Sequence, residues 1–474
     1  MRCIILGEIR VSNKIFSKYK TIGSAINKAS YGDRIIISKG KYIESIHLNK
    51  DIELVAEIPG EVEIIGHGIT INGNVVVRGI KFIDGRTQGE AAVLINGGSP
   101  IFENCEFTSD NNLCLNIINT GTNPRFKSCS IFGSKENLGG ITFEKASGMI
   151  EDCHIYNHGN TNIVIMDGAN PTIKTSHIYG SIKNGIWISG DCQPEIDSCH
   201  IYRNDFPNVC IKDKANPKVV NCQIYDGKEN GVYILDNGLG TFHGCDIHSN
   251  EGSNVSLSSN SHSEFHYCKL FESEGNGLFA SKKANGLFSN CEFFGNKNPG
   301  IFIDDEANPV IKDSKIYNST NGINVGSNGK GQFERCEIYN SSMPNVVIKE
   351  QGNPTLIECS IFDSQSNNVY VFNKGFGFFN KCKIFKSSMP NVAITSNGNP
   401  VFTHCEVYDS EKNGIYIYKG HGQINKCKVF NNSYPGIAIS DKSTFVVEDC
   451  EIFDNNTGVF IDSDGNVDLK KCDI

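Results

Sequence analysis

Cysteines stand at 105, 129, 153, 199, 222, 245, 268, 291, 336, 359, 382, 405, 427, 450 and 472, with every gap 22 to 24 residues or twice that. Ser176 and Ser314 fill the two missing rungs, so fifteen of the nineteen cysteines lie on one ladder. A period of this length rules out a set of ordinary globular domains. Each repeat is one small unit that can bury its apolar face only against its neighbours. Two residues after each rung comes an aliphatic residue or Phe, as in Ile201, Ile224 and Ile338. Three residues after it comes an aromatic in most coils, such as Tyr156, Tyr179, Tyr202, Phe271 and Phe453, with Thr108 and His248 as exceptions.

A second apolar alternation ("GIWI", "NVCI", "GVYI", "GIFI", "GIYI") follows about ten residues after the rung. Just before it stands Gly or Asn: Asn162, Gly185, Asn208, Gly231, Asn254, Gly277, Gly300, Asn345, Asn368, Asn391, Gly414, Gly436. Both types tolerate a left-handed backbone, so this column is expected to form a sharp corner between strands. A third short strand carries "NPTI", "NPKV" or "NPVF", with Pro at the entry, where a missing N–H does least harm. Three strands and three corners per repeat predict an all-β, single-stranded right-handed parallel β-helix. It would have roughly 19–20 coils of about 23 residues and a short N-terminal capping helix. Residues 1–90 would form the cap and first coils, and 91–474 one continuous run of regular repeats. Like residues would stack on like, with the thiol, isoleucine and aromatic of each coil in the core. The cysteine column reads as a repeated small hydrophobe, since disulfides would need Cβ atoms closer than the coil spacing.

Composition narrows the function classes. At 39% hydrophobic with 48 glycines, the chain is too polar for several globular cores, yet too rich in Ile, Val, Phe and Tyr for disorder. A net charge of −9 with few arginines argues against nucleic acid as a partner. No apolar run approaches a membrane span, and the apolar stretch of "MRCIILGEIR" is too short for a signal peptide. With reduced thiols this points to a cytoplasmic protein. The amphipathic "YKTIGSAINKAS" would plug the N-terminal end of the stack. The chain stops in mid-coil at Ile474, and the expectation is that a protein partner or further domain covers that edge.

Gly40, Tyr42 and Glu44 form a Gly-x-Tyr-x-Glu pattern after "GDRIII" that resembles the opening of pectate-lyase-like β-helix proteins. The stretches "ANPTIKTSHIYGSIKNGIWIS" and "GNPTLIECSIFDSQSNNVYVF" resemble the carbohydrate-binding and sugar-hydrolase type of β-helix repeat. That repeat serves extracellular polysaccharide enzymes, and also the intracellular non-enzymatic arrays of F-box-associated and Shc-binding-protein-like chains, which this chain matches best in repeat pattern. The resemblance is specific for fold and weak for function. The pectin methylesterase Asp stretch and Arg are missing here. Asp304-Asp305 and Gly420-His421-Gly422 lie five coils apart, without the Arg-Ile-Lys of polygalacturonases. Arg125, Arg203 and Arg335 are the only arginines of the repeats, and none stands beside a pectate-lyase acid cluster. No catalytic set and no cofactor is expected.

Surface candidates remain. Outward in the second strand stand Trp187, Tyr233, Phe279, Phe302, Tyr370, Tyr416 and Phe460, with Phe372 and Tyr418 two places on. Large outward rings are not required by the core and suggest a binding face for protein or carbohydrate; a stack that merely stiffens the sheet is the competing reading. Asp304, Asp305 and Glu306 lie near Phe302, and Asp213 and Asp236 recur at the same corner, where Asp is also a good turn residue. His154, His177 and His200 occupy one outward column and could share a metal, although no other ligand completes the set. Lys269, Glu292, Lys315 and Glu337, then Lys383, Glu406, Lys428 and Glu451, alternate in sign and predict a cross-strand charge ladder. The favoured function is a non-enzymatic interaction scaffold; a polysaccharide-binding or polysaccharide-cleaving β-helix is the alternative.

Overall fold

The computed structural model describes residues 7–66, 68–462 and 464–474. The chain divides into two compact units, Met1–Glu229 and Asn230–Ile474, each built from the same parallel β-coil. The fold is an all-β parallel solenoid of about 20 turns, roughly 23 residues each. A coil of the first unit runs through strands His177–Tyr179, Ile186–Ser189 and Glu195–Asp197. One of the second runs through Glu292–Phe294, Ile301–Ile303 and Val310–Lys312. These three strands belong to the first, second and third sheet respectively. Identical positions stack in register, as Ile178 on Ile201 and Phe293 on Ile316.

The single helix among the described residues, Ile22–Lys28, is shorter than its sequence window and buries Ile22, Ala25 and Ile26. Its first turn explains the Glu of the Gly-x-Tyr-x-Glu pattern. Glu44 accepts from the backbone N–H of Ile22 (2.8 Å) and of Gly23 (2.9 Å), placing a carboxylate on the positive helix end. Lys50 Nζ donates to the carbonyls of Ile26, Asn27 and Ala29 at 3.0–3.2 Å, closing the other end. Glu44→Ala is therefore expected to cost about 2 kcal/mol. Faster amide hydrogen exchange at Ile22 and Gly23 would report it; unchanged protection there would refute the capping role.

Two expectations are corrected and a third is extended. First, the aromatic after each rung lies outside the core. Cys199 and Ile201 are buried, while His200 and Tyr202 alternate outward and are half-buried. Outward rings stack face to face, for example Tyr179 on Tyr202 at 4.9 Å and Phe362 on Phe385 at 4.9 Å. Most of the large core residues come from the third sheet: Phe102 and Phe126 in the first unit, Phe242, Phe265, Phe288, Phe333, Phe379 and Phe402 in the second; Phe82, Phe107 and Phe293 come from the first sheet and Phe143 from the second.

Second, the Asn/Gly column before the second sheet is not left-handed. Positive φ falls elsewhere: just before the rung (Ser198, φ 55; Lys381, φ 56), after the first strand (Arg203, φ 54; Asp409, φ 56), and after the second (Asp213, φ 53; Asn397, φ 63). The asparagines instead form a buried amide ladder. Asn162 and Asn208 donate to the carbonyls of Tyr179 and Tyr225, and Asn345, Asn368 and Asn391 to those of Phe362, Phe385 and Tyr408, at 2.7–3.1 Å. Where glycine stands in this column it is required by space. A Cβ on Gly185 would lie 2.6 Å from Asn208 O, and one on Gly414 2.6 Å from Gly436 O.

Third, the rung is a hydrogen-bonding residue as well as a small buried one. Cys222 Sγ donates to Val220 O (3.3 Å) and accepts from Cys199 N–H (3.4 Å). Ser176 performs the same two tasks, to Lys174 O at 2.7 Å and from Cys153 N–H at 3.1 Å. Cysteine and serine are the small side chains that can donate and accept at once. All eighteen described cysteines are free thiols.

Candidate functional site

Outward positions of the second sheet carry both large and small side chains. In the first unit Trp187 is in register with Cys210. In the second unit Tyr233 stands beside Ser256, Ser256 beside Phe279, and Phe279 beside Phe302. The succession then runs Phe302, Asn324, Val347, Tyr370, Ala393, Tyr416, Ala438, Phe460. From Val347 onward a ring stands on every second coil with a small residue between. By the spacing of parallel strands, those rings recur at about 9.6 Å. Tyr370 also stacks on Phe372 at 4.6 Å, and its hydroxyl is 3.1 Å from Thr395 Oγ1. Tyr418 lies at the same strand end as Phe372 and carries Lys419 Nζ 4.9 Å above its ring.

A second apolar row, missed from the sequence, flanks these rings. The loop leading into the second sheet carries an exposed apolar residue before proline: Phe206 in the first unit, Met343, Met389 and Tyr434 in the second. Each holds the same place, its N–H bonded to the coil before: Met343 to Thr320 O, Met389 to Ser366 O, Tyr434 to Lys412 O. The following proline carbonyls accept from Asn321, Asn367 and Asn413 amides at 2.6–3.3 Å, which fixes the loops. Met389 and Tyr434 meet Tyr370 and Tyr416 around a groove of about 390 Å³ floored by Ala393, with Asn367, Asn413, Thr395 and Lys412 at its edge. The repeated "MPN" at 343–345 and 389–391 was the available signal.

The acidic candidates are dispersed turn residues. Asp213, Asp236, Asp305 and Glu306 all adopt positive φ at the corner after the second sheet. Ser189 Oγ donates to Asp213 at 2.7 Å, and this bond with Lys212 holds its carboxyl below the usual range. Asp304 keeps one buried carboxylate oxygen without a hydrogen-bond partner. His154, His177 and His200 stack with ring centroids 4.9 and 4.8 Å apart and planes within 6°. Their nitrogen lone pairs lie in parallel ring planes and do not converge on one point. Burial, with His200 and His154 on either side, pushes His177 below the ordinary imidazole value. Among the described residues no three His, Cys, Asp or Glu side chains are placed to share a metal ion. The charge ladder forms in part: Lys315–Glu337 at 3.6 Å, Lys383–Glu406 at 4.0 Å and Lys428–Glu451 at 3.0 Å.

Coil and face together define a β-solenoid with apolar side chains displayed on one sheet. The chain belongs to the right-handed β-helix family, whose pattern, described as a right handed beta helix region, matches residues 67–181, 163–308, 299–437 and 345–474. Solved structures similar to it include pectin methylesterase PemA from Erwinia chrysanthemi, at 11% identity over 48% of this chain and 80% of that one, TM-score 0.30. The periplasmic alginate epimerase AlgG matches at 10% identity over 86% and 78%, TM-score 0.27. The Dettilon tailspike protein matches at 8% identity over 71% and 62%, TM-score 0.35. A search of curated proteins finds no match.

Proposed function

We propose that this chain is an interaction scaffold that docks a protein partner along the second sheet of the unit from Asn230 to Ile474. The observation that carries it is the double apolar row. Met343, Met389 and Tyr434 are 48–53% exposed beside the half-buried Tyr370 and Tyr416, on loops held by amide bonds. Rigid aromatic and methionine side chains clustered around small slots are the residue types that anchor protein interfaces. The free thiols, bonded to backbone, support a reducing compartment such as the cytoplasm for this scaffold.

The test is a Tyr370→Ser/Tyr416→Ser variant of unchanged circular dichroism, compared with the wild-type chain for partners retained from the cell of origin. A partner whose retention drops by about tenfold or more supports the scaffold, at a loss of about 1.4 kcal/mol. A partner retained equally by both chains defeats it.

A second reading rests on the groove itself. Two tyrosine rings framing an alanine floor, with Asn367, Asn413 and Thr395 at hand, could stack a sugar and bond its hydroxyls. A glycan array on which the wild type binds and the double variant does not would move the assignment to polysaccharide.

A further inference from the structure

In the second unit, loop row and strand row are staggered. Where the loop residue of a coil is large the strand residue is small: Met343 with Val347, Met389 with Ala393, Tyr434 with Ala438. Where the loop residue is Ser366 or Lys412, the strand residue is Tyr370 or Tyr416. Apolar projections therefore alternate sides coil by coil in the order Met343, Tyr370, Met389, Tyr416, Tyr434, Phe460. Each row repeats every two coils, about 9.6 Å, and the rows are offset by one coil, about 4.8 Å. Small residues between the projections leave holes of the kind floored by Ala393.

That spacing is the spacing of a heptad. An α-helix rises about 1.5 Å per residue, so successive a positions stand about 10.5 Å apart with d positions roughly midway and displaced to the side. The mismatch is about 1 Å per repeat. An extended peptide, with same-face side chains about 6.8 Å apart, falls out of step within one repeat. From Met343 to Phe460 the rows cover about 24 Å, the length of roughly 16 helical residues.

Charge points the same way. Lys374, Lys412 and Lys442, at the corners and loops bordering the rows, have no carboxylate within ion-pair distance among the described residues, and Lys412 Nζ sits 4.8 Å over the Tyr434 ring. On that border Glu350 is taken up by Lys349 at 3.3 Å and Asp441 by Lys419 at 3.1 Å, while Asp464 stands at the last corner, one coil beyond Lys442. Glu411 lines a separate hollow with Asp363 and Asp409.

We infer that this face receives a single amphipathic α-helix of a protein partner, lying across the strands with apolar a and d residues in the holes and acidic residues beside them. The inference rests on the protein-scaffold reading and specifies its partner. The experiment uses the full chain and a labelled three-heptad peptide with Leu at a and d and Glu at e and g, below its self-association concentration. Controls are a peptide of the same composition with apolar residues at every second position, and the heptad peptide with a central proline.

Fluorescence anisotropy is expected to show saturable binding of the heptad peptide, at least about tenfold tighter than either control and weaker at high salt. Ala393→Trp, which fills one hole from outside the core, and Lys412→Glu should each weaken it about tenfold or more, with circular dichroism unchanged. Equal binding of the alternating peptide, or no binding of the heptad peptide, overturns the helix. A cellular partner that the Tyr370→Ser/Tyr416→Ser variant loses would then still stand for the scaffold, so the two failures are distinguishable.

Discussion

Phe265→Ala is expected to lower stability by about 4 kcal/mol, whereas Phe271→Ala, six residues on, should cost only about 1–2 kcal/mol. The two rings look alike in sequence and occupy opposite faces of the coil wall. Phe265 is fully buried and stacked between Phe242 at 4.4 Å and Phe288 at 4.7 Å. Truncation there loses the transfer energy of a ring and leaves a cavity that neighbours in fixed register cannot close. Phe271 is half-buried, stacked on His248 at 4.6 Å and Phe294 at 4.8 Å, with solvent along one side. Its loss removes stacking and some area but opens no void. Each coil touches only the coils next to it, so the Phe265 variant should open locally, as a new early step in a urea titration of the full chain. Equal costs for the two variants would show the inside and outside of the first and third sheets to be misassigned.

The solenoid was legible because its signal is repetition. Fifteen cysteines in phase, each followed by an aliphatic residue at the second place, admit no other arrangement of parallel coils. What was read wrongly are positions where one residue type answers two physical demands. Asparagine is favoured both by left-handed backbone and by buried amide ladders, and glycine both by positive φ and by lack of room for a Cβ. In the column of Asn208 and Gly185 the second demand operates each time, since the carbonyl of the next coil occupies the space of a side chain. The true left-handed corners mix Asn397, Asp409 and Gly180 with Lys381, Arg203 and Ser198, so no one column there carries a clean signal.

The aromatic face was legible as a column, since Trp187, Tyr370 and Tyr416 fall on the outward phase of an obvious strand. Its partner row was not. Met343, Met389 and Tyr434 sit in loops, where periodicity of two no longer tells which way a side chain points. Their exposure follows from the proline after them and from the asparagine that holds its carbonyl.

Lowering the pH from 7 to 4 is expected to remove about 3 kcal/mol of stability through His158 alone. His158 replaces the asparagine or serine that other coils place four residues before the second-sheet corner, as Asn204 before Asn208 and Asn250 before Asn254. Its ring is fully buried. Asn162 donates its amide N–H to Tyr179 O and Asn204 Oδ1, so its own oxygen accepts, and His158 Nδ1 at 2.6 Å must carry the proton. The Nε2 lone pair then faces the Cys114 thiol at 3.7 Å, with no carboxylate to welcome a second proton. Burial drives this imidazole from its ordinary 6.5 down to about 4, only partly opposed by the bond to Asn162. The unfolded chain therefore takes up a proton that the folded chain refuses. Stability falls as the pH drops from about 6.5 to about 4 and is unaffected by this group outside that window. At about 1.4 kcal/mol per pH unit the shift amounts to about 3 kcal/mol.

His177, also lowered, acts in the same direction. Glu151 and Asp213, held below the usual carboxylate range, lose their contributions at still lower pH. His158→Asn separates these effects. It restores the amide found at Asn204, and near pH 7 it should cost about 1 kcal/mol for the volume lost beside Gly133 and Gly140. Urea midpoints of the two chains should therefore converge on acidification and cross between pH 6 and 5, leaving the variant the more stable by about 2 kcal/mol at pH 4. A wild-type chain that keeps its margin over the variant down to pH 4 would mean that His158 is hydrated or charged in the folded protein, and that the amide ladder is open to water at that coil.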